Sequence, residues 1–249
     1  MYHEGELEVQ RKAGVAQLAA RVGRIIGNAI PDGAESFIEG PRLVVASTIE
    51  RDGRVWATPL RGGVHVDDER TLRITSGLAL DDPRIGILII DMPTRRRMRV
   101  NGRATREGGD LVIATDEVYG NCPQYIHPRP ATPDMTSPET WVNTSDTFFL
   151  ATAHPTRGAD ASHRGGEVHF DGTRLTFPDL SGNNMFNSLG NLQVNPQCGL
   201  LFLDFESGAA LQFSGRGRVI WDQQRRVEIE VEETRFSSVP CFSSPSNPA

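Results

Sequence analysis

The sequence is short of several things, and each shortage excludes a class of protein. Cysteine is scarce: Cys122, Cys198 and Cys241 are odd in number and lack metal-ligand spacing. That speaks against a disulfide framework and leads us to expect a reducing, cytoplasmic setting. Long apolar runs are missing, and no stretch approaches the ~20 residues of a membrane span. The acidic start His3-Glu4-Gly5-Glu6 also lacks the basic-then-apolar layout of a secretory signal. There is no basic excess. A net charge of −6 and a pI of about 5.6 leave no surface that invites nucleic acid or anionic lipid. Lysine is nearly absent, Lys12 standing alone among 26 basic residues. This reads mainly as coding bias, although arginine is also the better fork for phosphate. What is there describes an ordinary soluble globular chain: 249 residues, 38% hydrophobic and 23% charged, room for one large domain or two smaller ones.

Residues 6–27 read as one amphipathic helix, with Val15, Leu18, Val22, Ile25 and Ile26 at helical spacing. Gly14 and Gly23 each weaken it by about 1 kcal/mol, so packing must hold it. From Phe37 the pattern turns to short strands. These are 42–49, 55–58, 64–66, 71–74, 85–90 and 98–100, with an Asp52-Gly53 hairpin turn after the first. No helix of crossover length separates them, which argues for a closed antiparallel barrel. A proline-rich linker covers 119–142, and the strand pattern restarts at Phe148. After Phe236 the composition is that of a tail, either disordered or pinned against the body.

The second half repeats the first. Pro83, Gly86, Asp91 and Gly102 recur with identical spacing as Pro196, Gly199, Asp204 and Gly215, and Arg61-Gly62-Gly63 recurs as Arg164-Gly165-Gly166. One difference is informative. Between Phe177 and Pro196 the second copy carries a longer connection, with Gly182-Asn183-Asn184 and a helix-like run from Met185 to Gln193. Only this copy therefore has a helix start beside its Arg-Gly-Gly turn. A helix N-terminus, small residues and a fixed cation are the parts a phosphate-bearing ligand needs. The expectation is one ligand site per chain, the first barrel forming its other wall. The plainer alternative is a polar connection across the top of a barrel.

At these residues the sequence resembles the pyridoxamine 5′-phosphate oxidase-related family of FMN-binding split barrels, and most closely its tandem, flavin-nucleotide-binding branch. The likeness lies in His3-Glu4-Gly5-Glu6-Leu7, in Gly120-Asn121-Cys122-Pro123 with Tyr125, and in Ser162 with Arg164-Gly165-Gly166. Phe177-Pro178-Asp179 and Gly182 to Asn191 complete it. The resemblance implies a mainly β fold of two tandem split β-barrels, a pseudo-dimer in one chain, with an N-terminal helix and a short helix in the second barrel. The expected division is an N-terminal segment 1–35, a first barrel 36–118, the linker 119–142, a second barrel 143–235 and a tail 236–249.

FMN would lie in the groove between the halves. Arg164 would contact the phosphate or ribityl chain, and Ser162 and Ser188 would donate to phosphate oxygens. Asn183, Asn184 and Asn187 would bind through their amides; Asn183 and Asn184 stand where better-studied relatives carry Arg and Lys, so Arg164 has to supply the charge. Phe177 and Pro178 would meet the ring system, and Asn121 and Tyr125 would close over it, with Cys122 beside them as a small buried residue; Gln212 either meets its pyrimidine edge or is a plain barrel-face glutamine. His163 could contact the cofactor, yet strand alternation sends it and Arg164 to opposite faces. His154, His163 and His169 lack partners at metal spacing, so no metal is expected. Arg95-Arg96-Arg97 reads as a solvated turn or as an anion-attracting rim. The function implied is an FMN-dependent oxidoreductase, acting by hydride transfer on a small molecule or nicotinamide nucleotide. The alternatives are a flavin carrier or sensor without turnover, and a haem-binding split barrel. Further homodimerisation is compatible with this reading.

Overall fold

The computed structural model describes residues 2–120, 122–182 and 184–239. Asn121, Asn183, Cys241 and most of the expected tail lie outside the described residues. The N-terminal segment is not one helix. It breaks into α1 (Glu4–Lys12), α2 (Ala16–Val22) and a 3-10 turn (Gly23–Ile25), because Gly14 takes a left-handed φ of +71° that ends α1. The expected apolar stripe does not face the core: Leu18 and Ile25 are exposed, and Val9 and Ala19 are the apolar positions fully buried. The side chain of His3 caps α1, accepting from Gly5 N–H, while Glu6 accepts from the His3 backbone in return. Arg11 and Lys12 close its last turn.

After α3 (Glu35–Ile38), the first half forms a seven-stranded antiparallel sheet. Its strands are β1 (Leu43–Ile49), β2 (Val55–Pro59), β3 (Val64–Asp68), β4 (Thr71–Thr75), β5 (Arg84–Asp91), β6 (Arg96–Glu107) and β7 (Asp110–Gly120), in the order β2-β1-β5-β6-β7-β4-β3. The linker contains α4 (Pro138–Thr144), which the proline count hid. Ser137 caps it and Pro138 stands in its first turn, where a missing N–H costs nothing.

The second half follows with β8 (Thr147–Ala153), β9 (Ala159–Gly165), β10 (His169–Phe170), β11 (Arg174–Pro178), α5 (Asn187–Val194), β12 (Gln197–Leu203), β13 (Ala209–Ile220) and β14 (Arg226–Ser238). Its order, β9-β8-β12-β13-β14-β11-β10, is that of the first half strand for strand. These are two tandem split barrels. The last strand runs past the expected boundary at 235, to Ser238, and Val239 is buried.

The repeated residues have repeated structural reasons. A Cβ on Gly102 would come within 2.1 Å of the Ala114 carbonyl oxygen, and one on Gly215 within 2.1 Å of that of Glu230. Both glycines follow a β-bulge in the register of their long strands. Gly86 and Gly199 work between the halves. A Cβ on Gly86 would lie 2.4 Å from the Ala159 oxygen of β9, and one on Gly199 2.7 Å from the Ala57 nitrogen of β2. Each half thus keeps one glycine bare so that the other half's strand can press against it.

Three apolar clusters result. One belongs to the first barrel, around Leu72, Ile85, Ile87 and Ile113, and one to the second, around Phe148, Phe177, Phe202 and Phe213. The third joins them, with Val45, Ala57 and Leu88 of the first half packed on Phe149, Ala161 and Leu201 of the second. Burial at about 25 cal/mol per Å² makes this shared core the main force holding the halves together.

Candidate functional site

A cleft opens at the seam, at the C-terminal end of β9. It encloses about 830 Å³ of space free of atoms, its open mouth included. The second half supplies His163, Arg164, Phe177, Pro178, Asn184, Asn187 and Ser188 to its lining, and the linker supplies Cys122 and Tyr125. The first half supplies Arg97 and Arg99. The sequence pointed to Arg97 only as part of a run that is either a solvated turn or an anion-attracting rim, and did not point to Arg99.

The helix start is built as an open N-terminus. Phe186, the residue before α5, is left-handed with φ 61° and offers no side-chain cap, so among the described residues no N-cap side chain closes the start of the helix. Asn184 is left-handed too, with φ 61°. Two non-glycine residues in this conformation, both at the rim of one cleft, mark strain held in place by their surroundings. Arg225 is part of what holds it: its guanidinium stacks 4.8 Å from the Phe186 ring centroid, and its Nε donates to Asp179 Oδ2 at 2.8 Å.

Asp179 also accepts from Arg164 Nη1 at 3.4 Å, so one buried carboxylate serves two arginines. Burial lowers the pKa of Arg164, with Asp179 opposing and Arg99 adding to the effect. For Arg97, burial and the charges of Arg99 and Arg164 push the guanidinium down to about 9, still charged at neutral pH. Burial also opposes the charge of Arg99, but Tyr119 and Asp160 more than offset it and its pKa is raised. Among the described residues, the Nε of each of the three is buried without a hydrogen-bond partner. Three like charges sharing a cleft, each with an unmet donor, are what a bound anion would relieve.

His163 and Arg164 both line this cleft although strand alternation sends them to opposite faces, beside Phe149 and Phe148 respectively, because the cleft wraps the end of β9. His163 is buried edge-on against Phe149 and lies 3.3 Å from Arg97 Nη1 through its Nδ1. Burial, then the Arg97 charge, holds its pKa well below the ordinary value, so the ring is neutral. A guanidinium only donates, so Nδ1 carries the lone pair and Nε2 the proton.

Several expected residues stand elsewhere. Ser162 is wholly buried behind the cleft, donating to the Leu150 carbonyl and accepting from Ser188 Oγ at 3.0 Å. Asn187 reaches the cleft but spends its amide on Glu6 Oε1 at 2.6 Å. Gln212 is not in the cleft at all. Its Nε2 donates to the Ala57 carbonyl at 2.8 Å, and its Oε1 accepts from Ser237. The repeat explains this. Pro83 and Pro196 differ by 113 positions, and 212 − 113 = 99, so Gln212 is the counterpart of Arg99. Each barrel's sixth strand faces the other barrel's Arg-Gly-Gly end, so the wall opposite Arg164 belongs to Arg99. The counterpart groove, at Arg61, is crossed by Gln212 and the end of β14, with Arg61 Nη2 3.5 Å from Ser238 Oγ. The Arg95-Arg97 run divides its duties. Arg95 makes the turn at φ 56°, Arg96 covers the Phe37 ring at 4.7 Å, and Arg97 turns inward to the cleft and the Cys122 carbonyl.

One group of possible metal ligands occurs among the described residues: His3, Glu4 and His154, with ligand atoms within 4.8 Å of one another. Both imidazoles accept backbone N–H groups at Nδ1. The proton therefore sits on Nε2, which has no lone pair for a cation. No helix among the described residues is long and apolar enough to cross a membrane.

Residues 138–246 match the family described as pyridoxamine 5′-phosphate oxidase. No curated protein matches the chain. Among solved structures, HupZ of Group A Streptococcus is similar at 16% identity, covering 36% of this chain and 93% of its own, with a TM-score of 0.32. A protein of the pyridoxinephosphate oxidase family from Clostridium acetobutylicum, related to general stress protein 26, is 13% identical over 39% of this chain and 82% of its own, TM-score 0.30. An F420 reductase is 17% identical over 37% of this chain and 97% of its own, TM-score 0.26. By the strand order of both halves and the family match of the second, this chain has a pyridoxamine 5′-phosphate oxidase-like split-barrel fold.

Proposed function

We propose that the cleft binds FMN non-covalently and that the protein is an FMN-dependent oxidoreductase acting on a small molecule or a nicotinamide nucleotide. The observation that carries this reading is the set of three arginines, drawn from both halves, that line one cleft with an uncapped helix start and keep their Nε donors unmet. The fit is chemical. Arg164 and the first N–H groups of α5 would hold the phosphate. Phe177, Pro178 and Tyr125 offer apolar surface for a ring system, and Arg97 and Arg99 offer donors to its polar edge. Bound FMN would supply two-electron hydride chemistry, the protein supplying position and hydrogen bonds.

The neutral His163 bears on the haem alternative. An axial ligand through Nε2 needs the proton on Nδ1, and Arg97 occupies that atom as a donor. The arrangement therefore disfavours haem at this position. Purified protein should release FMN on denaturation, identified by mass, and should show flavin absorption. Release of haem or of a deazaflavin in its place would overturn the assignment. Bound FMN that NADH and NADPH leave oxidised would favour a carrier or sensor over an enzyme using those donors.

A further inference from the structure

Asp160 does not line this cleft; it is 8% exposed, at the wall of a separate cavity that Asn101 and Asn191 also line. Its Oδ1 accepts from Asn101 Nδ2 at 2.8 Å and from the Tyr119 hydroxyl at 3.4 Å. Its Oδ2 accepts from Asn191 Nδ2 at 2.8 Å. Arg99 Nη1 lies 3.8 Å from Oδ1 and donates to the Tyr119 hydroxyl at 3.2 Å. One carboxylate from β9 of the second half thus gathers three side chains of the first half and one from α5. Among these are the guanidinium that forms one wall of the cleft and the helix whose start forms the other.

We propose that Asp160 is a positioning residue for anion binding in the cleft, acting through Arg99 and Asn191. This rests on the reading above only in taking the ligand to be anionic. An aspartate suits the task because it accepts at both oxygens. An asparagine there would turn an NH2 towards an amide donor, from Asn101 or from Asn191, and would leave the Arg99 charge without its counter-ion. Arg97 and Arg164 would then repel Arg99 with less to oppose them, and the wall would shift.

The sign of the effect separates this role from a bare charge effect. As a mere negative charge near the cleft, Asp160 would repel an anion, and Asp160→Asn would tighten binding. As a positioning residue its loss weakens binding. The test is to titrate the full chain and the Asp160→Asn variant, each shown to be folded by circular dichroism, with FMN and separately with inorganic pyrophosphate. The expected result is at least tenfold weaker binding of both probes by the variant, and a smaller loss when Asp160→Asn is added to Arg99→Ala than when it is made alone. Equal or tighter binding by Asp160→Asn overturns the proposal, while leaving the flavin reading intact if wild type binds FMN. Wild type that binds pyrophosphate but not FMN sinks the flavin reading alone, and wild type that binds neither sinks both. Should Asp160→Asn fail to fold, Tyr119→Phe and Asn191→Ala each cut one arm. Weaker binding by both supports the role, and unchanged affinity in both overturns it.

Discussion

Arg97 shows how one residue can be read in two ways. In the sequence it is the third arginine of a turn; in the fold it is the first inward position of β6 and sits against His163. A hydrogen bond from a charged guanidinium, about 1.5–3 kcal/mol, is at stake for each arginine that would touch FMN. Replacing Arg97 or Arg164 by alanine should therefore weaken FMN binding by roughly 10- to 150-fold, read by quenching of flavin fluorescence. Glu6 carries the clearest pH signature. Burial, with Asp160 and Glu117 adding to it, pushes its pKa up to about 8, against the hydrogen bonds from His3 and Asn187. The folded state holds this proton more tightly than the unfolded chain. The stabilisation is therefore complete below the ordinary carboxylate range and is lost as pH rises from about 4.5 through about 8. Wild-type thermal stability should fall across that window relative to Glu6→Gln. A constant difference between the two would show that Glu6 does not titrate there.

Among the elements, α5 and α1 depend on each other. A Cβ on Gly5 would meet the Gly190 oxygen at 2.2 Å, and one on Gly190 would meet the Glu6 nitrogen at 2.6 Å. The two helices cross backbone to backbone, and Glu6 ties the crossing to the first residue of α5. Gly190→Ala should cost about 1–3 kcal/mol of stability through overpacking, seen as a lowered Tm, and should weaken ligand binding because it displaces the helix start. Strands and hairpins were legible because alternation and Asp-Gly turns are local signals. The break in the N-terminal helix was not. Leu18 and Ile25 have helical spacing, yet the buried contact that organises the segment is a pair of glycines 185 positions apart. The cap of α4 was present in Ser137-Pro138 but masked by the surrounding prolines.

Across the whole molecule, duplication was the most legible feature, but it leaves open which half faces which. The repeated glycines announced two barrels, and the longer second connection announced where the helix start would be. Gln212, read either as a flavin contact or as a plain barrel-face glutamine, lies outside the cleft. A pseudo-two-fold arrangement exchanges the walls, so the residue needed is its counterpart Arg99 in the other copy. Periodicity reports what a half contains and not which half faces which. The same exchange makes the seam glycines sensitive. Gly199→Ala would press a methyl group on the Trp56 and Ala57 backbone, and should lower stability and flavin affinity together. A cleft built wholly within the second barrel would keep its affinity.

The most direct test of this arrangement is the stoichiometry of FMN binding to the full chain, measured by calorimetric titration. One FMN per chain is expected, with binding weakened in Arg164→Ala of the second half and in Arg99→Ala of the first. Two FMN per chain, or binding indifferent to Arg99, would contradict a single site shared between the halves.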